Sequence, residues 1–123
     1  MIRIFTGYTV DSLSYDQQWN LCVDAVREAC DIAAQYGVAI GVQNHHDTAI
    51  STDAYVEFIH DVDHDNCKAM YDPWEPAILE EDMYECAKRL APRMVQSTFA
   101  DYVKQDRYAY KPGLLNYRPQ PAI

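Results

Sequence analysis

"AIGVQNHHD", residues 39–47, begins as an apolar strand and ends as a row of side chains suited to metal binding or proton transfer. Ala39, Ile40, Gly41 and Val42 run into Gln43, Asn44, His45, His46 and Asp47 with no intervening turn residue. A buried run that empties directly into polar chemistry is the pattern of a parallel strand whose carboxyl end lies at a ligand site. The flanking segments repeat it. "IRIF" (2–5), "CKAMY" (67–71) and "RMVQSTF" (93–99) are β-type runs, each followed by polar residues.

Helical patterns separate these runs. Ser14 with Gln17 has the capping-box spacing, and Trp19, Cys22, Val23, Val26, Cys30 and Ala33 then recur at steps of one, three and four. Gly37 supplies a left-handed stop. Ser51 or Thr52 caps a second helix bearing Ala54, Val56, Ile59 and Val62. Glu80, Glu81 and Asp82 suit the positive end of a third, Lys88 and Arg89 its negative end, and Met83, Cys86, Ala87 and Leu90 form its buried stripe. The order is βαβαβαβ, and crossover helices between strands dictate a parallel sheet, either doubly wound or part of a barrel wall.

In both architectures the strand exits share one rim. Thr6, Gly7 and Tyr8 follow the first strand, "QNHHD" the second, Asp72, Trp74 and Glu75 the third, and Thr98, Asp101 and Tyr102 the fourth. His45 and His46 are adjacent, so they point to opposite faces unless the strand has already ended; Gln43 and His45 share a face. Asp72, fixed before Pro73, is placed to bind a divalent cation or accept a proton, or simply to form a turn. Glu75 is a candidate general base, and Trp74 offers an apolar wall to a sugar ring.

Composition narrows the partners. The 123 residues make one domain, 1–123, with a formal net charge of −9 that opposes phosphate backbones and favours small polar or sugar-like ligands over nucleic acid. No apolar run approaches the roughly 20 residues needed to cross a bilayer, and "MIRIFTGY" lacks the basic-then-apolar order of a leader, so a cytoplasmic protein without membrane contact is expected. Cys22, Cys30, Cys67 and Cys86 show no CxxC spacing and read as buried reduced thiols. Residues 103–123, rich in Tyr and Pro, carry no helical period.

The strand exits together resemble the sugar phosphate isomerase/epimerase family, the xylose-isomerase-like TIM barrels that include ketose 3-epimerases and endonuclease-IV-like enzymes. "RIFTG" is similar to the third barrel strand, "GVAIGVQNHHD" to the fourth, "NCKAMYDPW" to the fifth and "APRMVQSTFADY" to the sixth. The resemblance implies a partial (β/α)8 barrel of four parallel strands with three helices, a sugar isomerase or epimerase chemistry of proton transfer next to a carbonyl, and a divalent metal, Mn or Mg. Its metal ligands are a glutamate, an aspartate, a histidine and a second glutamate on strands four, five, six and eight. Gln43, Asp72 and Thr98 fall on the first three positions, and the fourth has no counterpart. Glu75 falls where the family often has a substrate-contacting histidine, and Asp101 matches an acidic residue after strand six. The expected roles are catalysis by Glu75 and His45, substrate contact by Trp74, Asn44 and Asp101, and metal contact by Asp72, Gln43 and Thr98. A full barrel takes about 250 residues. Four strands leave two open edges, so a homo-oligomer joined through them, a fragment of a longer barrel or a non-catalytic remnant of the fold is expected.

Overall fold

A computed structural model of the chain describes residues 1–98; Asp101 and the segment 103–123 lie outside the described residues. The elements follow in the order β1 (Ile2–Ile4), α1 (Tyr15–Ala34), β2 (Ile40–Gln43), α2 (Thr52–Val62), β3 (Cys67–Tyr71), α3 (Trp74–Ile78), α4 (Met83–Leu90) and β4 (Met94–Ser97). The strands form one parallel sheet in sequence order, as a half (β/α)8 barrel requires. Beyond the three expected helices there is α3, a five-residue turn of helix separated from β3 by Asp72 and Pro73. It was hidden because "WEPAI" is too short to show a helical period.

Local chemistry sets the helix ends. Ser14 and Gln17 form a complete capping box at the start of α1, and the Ser51 hydroxyl accepts from the Ala54 N–H at the start of α2. Asp82 takes two N–H groups, of Tyr84 and Glu85, at the start of α4. Gly37 has a φ of 65°, the left-handed conformation expected after α1. Arg27 of α1 donates to the carbonyls of Asp61 and Val62, satisfying acceptors that the end of α2 leaves open.

Register sorts the two faces of the sheet. Ile40 pairs with Ile2 and Cys67, and Val42 with Ile4 and Ala69; these residues point toward the helices. There Ile4, Ile40, Val42, Cys67 and Ala69 meet Val23, Val26, Cys30, Phe58, Val62 and Leu90 in one core, while Ile2 at the start of the edge strand stays exposed. The opposite face carries Arg3, Gly41, Gln43, Lys68 and Met70. A Cβ on Gly41 would stand 2.7 Å from Cγ and Sδ of Met70, so the glycine makes room for that side chain.

Asn66 secures the amino ends of the strands, donating to the carbonyls of Cys30 and Val38. Tyr55, fully buried, reaches from α2 into the sheet and donates to the Val42 carbonyl at 2.6 Å. All four cysteines are free thiols; Cys30, Cys67 and Cys86 are buried, and burial pushes the Cys67 thiol up to about 12. Removing the Tyr55 hydroxyl by Tyr55→Phe deletes a buried hydrogen bond without opening a large cavity. It is expected to lower unfolding stability by about 1–2 kcal/mol in a urea titration, with an unchanged m-value.

Candidate functional site

The strand exits do lie on one rim, and two side-chain clamps bring them together. The Asn44 amide donates to the Asp72 carbonyl at 2.7 Å and accepts from the Asp72 N–H at 2.7 Å, prolonging the β2–β3 ladder by one rung made of a side chain. Thr6 and Thr48 tie the first loop to the second: the Thr48 hydroxyl donates to the Gly7 carbonyl, and the Thr6 N–H donates to Asp47. Asn44 is buried, and both ends of its amide are spent on Asp72. These two bonds hold the neighbouring strand exit beside β2.

Because β2 stops at Gln43, the alternation of strand side chains does not govern His45 and His46. Their rings lie 3.7 Å apart, centroid to centroid, on the same side of the rim. His45 also packs edge-on against Phe5 at 4.8 Å. The His46 Nδ1 lies 3.5 Å from Oε1 of Glu75, a residue placed by α3 and only 2% exposed. Oε2 of Glu75 is buried and has no hydrogen-bond partner among the described residues. Desolvation raises the Glu75 pKa, His46 opposes the rise, and the nearby Asp72 and Asp47 carboxylates add to it.

Asp72 makes three local contacts. Its backbone pairs with Asn44, Oδ1 accepts from the Trp74 N–H at 3.0 Å, and Oδ2 accepts from the Gln43 amide nitrogen at 2.8 Å. The amide oxygen of Gln43 in turn accepts from Arg3 at 3.3 Å. Thr98 follows the rung Tyr71–Ser97 and donates its N–H to the Tyr71 carbonyl, which places it beside Asp72 at the end of β4. Gln43, Asp72, His45, Trp74 and Glu75 thus border one depression of about 320 Å³, with Arg3, Phe5 and His46 completing its wall. Asp101 lies outside the described residues.

Two positions for a cation can be compared by their donors. At Gln43, Asp72 and Thr98 the set is an amide, a carboxylate and a hydroxyl, with the amide already engaged at both ends and a guanidinium bonded to its oxygen. That set does not fit a divalent ion. His45, His46 and Glu75 offer two imidazole nitrogens and a carboxylate oxygen within 4.8 Å of one another, and the orphaned Oε2 is a donor in want of a partner. These three residues can hold a divalent metal after small rotations that bring the donors to within about 2.1 Å of a common centre. The pairing of His45 with His46 was not visible in the alternation rule, and Arg3 escaped notice because its contacts span forty residues.

Comparison with known proteins agrees with this architecture. No curated protein matches the chain significantly. Among solved structures, the probable 3-DHS dehydratase AsbF involved in petrobactin synthesis from Bacillus anthracis superimposes with a TM-score of 0.77 at 20% identity, covering 98% of this chain and 46% of that one. A xylose isomerase domain protein from Planctomyces limnophilus gives 0.66 at 21% identity, covering 81% and 35%. The 3-keto-D-glucoside 4-epimerase YcjR from E. coli gives 0.70 at 13% identity, covering 80% and 43%. The chain therefore spans less than half the length of each of these structures. The family model described as xylose isomerase-like TIM barrel matches residues 1–120, and the chain belongs to that family.

Proposed function

We propose that the rim binds a small sugar-like substrate and moves a proton next to its carbonyl, as a sugar isomerase or epimerase does. The observation that carries this reading is Glu75: a carboxylate buried at the edge of a polar depression, one oxygen against His46 and the other without a hydrogen-bond partner among the described residues. Burial makes it a stronger base when ionised than an ordinary surface glutamate. Glu75 takes the proton from the carbon beside the carbonyl, and the C–H electron pair becomes the double bond of an enediolate. The negative charge gathers on the former carbonyl oxygen, where His45 stands as a donor. Return of the proton from Glu75 to the neighbouring carbon, while the hydroxyl proton of that carbon's oxygen passes to the former carbonyl oxygen, completes an isomerisation; an epimerisation requires a second proton donor on the opposite face of the same carbon, a role Glu75 cannot fill. Trp74 walls the depression and Asp72 accepts from substrate hydroxyls; we assign Asp101 to the same substrate contact.

A second reading rests on the orphaned Oε2. If His45, His46 and Glu75 hold a divalent ion, Glu75 is a ligand rather than a proton carrier, and the bound ion supplies polarisation of a substrate oxygen.

Completion by a second half barrel is part of the proposal. Ile2 on β1 and Val95 on β4 are 53% and 48% exposed, at the two strands that have only one neighbour among the described residues. Pairing β1 of one copy with β4 of another about a twofold axis along the barrel keeps all strands parallel and covers the inner face. Four unpaired thiols accord with a working place in the reducing cytoplasm.

Three outcomes test these statements. In D2O, a panel of ketoses and aldoses is expected to gain deuterium at the carbon next to the carbonyl, read by NMR, and Glu75→Gln to slow this at least about 100-fold. No exchange with any sugar would overturn the reading. Exchange that rises with added Mn2+ or Zn2+ and stops with a chelator selects the metal form. Val95→Lys, which places a charge on the β4 edge, is expected to shift a dimer to monomer in light scattering.

The raised Glu75 pKa also predicts a pH dependence of stability. The folded chain holds this proton more tightly than the unfolded chain. The carboxyl therefore favours folding at acid pH, and that contribution is lost as pH rises through its raised value. Glu75→Gln stays neutral, so its Tm is expected to exceed that of the wild type at pH 8 and to converge with it as the pH falls into the ordinary carboxylate range.

A further inference from the structure

At the place where the resemblance leads one to expect a divalent ion between strand four and strand five, this chain has built a hydrogen-bonded chain instead. Arg3 donates to the Gln43 oxygen at 3.3 Å, and the Gln43 nitrogen donates to Asp72 at 2.8 Å. The order is fixed by charge. Turning the Gln43 amide over would set its N–H2 against the guanidinium and its oxygen against the carboxylate, two repulsions in place of two bonds. Gln43 is 4% exposed, so water does not offer a substitute for either bond.

The guanidinium itself is held from two sides. Nη1 is on Gln43, and Cζ lies 5.3 Å from the centre of the Phe5 ring, in cation–π range. No hydrogen bond within the described residues uses Nε or Nη2. Those two form the side-on pair of donors that matches the two oxygens of a carboxylate. Arg3 also forms part of the wall of the depression that contains Trp74, Asp72 and Glu75.

We infer that Arg3 serves as the fixed cation of this site, and that the depression selects sugar derivatives carrying a carboxylate, such as a uronic or aldonic acid. The carboxylate lies on Nε and Nη2 of Arg3, and the hydroxyls extend over Trp74 towards Asp72. Gln43 acts through Arg3, as a positioning residue that carries the charge order from Asp72. In a chain of net charge −9, long-range attraction does not bring such a ligand in, so its selection depends on a cation held locally, as Arg3 is. The inference deepens the proposed function by naming the substrate class, and it rests on the same depression.

The test compares D-glucuronate with D-glucose, which differ in a carboxylate at one carbon, by calorimetry and ligand-observed NMR on the full chain. Wild type is expected to bind glucuronate at least tenfold more tightly than glucose. Arg3→Gln should remove that preference, and Arg3→Lys should keep part of it; Arg3 is exposed on an edge strand, and circular dichroism verifies that both variants fold. Equal binding of the two ligands, no binding of either, or an Arg3→Gln chain that still prefers glucuronate overturns the inference. Binding of glucuronate through Arg3 with no deuterium exchange in any sugar sinks the proposed chemistry alone. Exchange in neutral sugars with no dependence on Arg3 sinks the substrate class alone.

Discussion

The rung that Asn44 makes with Asp72 holds the site together. A parallel ladder is built from backbone groups, and at the last residue of a strand those groups are normally handed over to water or to a loop. Here a side-chain amide supplies both a donor and an acceptor, so β2 and β3 stay in register one residue beyond the point where β2 itself ends. Two results follow from that single substitution of side chain for backbone. The chain after Asn44 is free to leave the pleat, which lets both histidines face the same way. Asp72 is meanwhile fixed in depth, and through it Gln43 and Arg3.

Most of the architecture was legible because it is written in neighbours. The capping box at Ser14 and Gln17, the stop at Gly37 and the stripes on α1 and α4 are decided by residues within one or two helical turns. The sequence shows them directly. The rim was legible one step further on, from the rule that ligands meet parallel strands at their carboxyl ends. What stayed hidden was settled by tertiary partners. The convergence of His45 with His46 depends on where β2 stops, which is decided by Asn44 and a backbone twenty-eight residues away. The burial of Glu75 depends on α3, whose five residues are too few to announce themselves. Gln43 could be placed at the rim from its strand, yet the direction of its amide could be known only once Arg3 was seen beside it.

The electrostatics of the site are arranged in two separate compartments. On one side Arg3, Gln43 and Asp72 form an ordered line in which each polar end meets its complement. On the other side Glu75 is nearly sealed from water, and its charged complement among the described residues is a histidine 3.5 Å away. Buried ionisable groups with incomplete partners are expensive in a folded domain, and they gather where chemistry needs a group that is ready to gain or lose a proton. The contrast between a satisfied line and an unsatisfied carboxylate, a few side chains apart, is what distinguishes this rim from an ordinary polar surface.

The core of the sheet is finished on one side and open on the other, and this has a consequence in time. The apolar contacts that stabilise the helical layer lie between the helices and the sheet face they cover and between neighbouring helices, as where Trp19 of α1 packs edge-on against Phe58 of α2, so this layer is settled without any partner on the inner face. If a second half barrel closes on this one, that closure is a separate event, a docking of two surfaces whose interiors are already set. A molecule organised in this way can exchange one half for another without refolding the half it keeps.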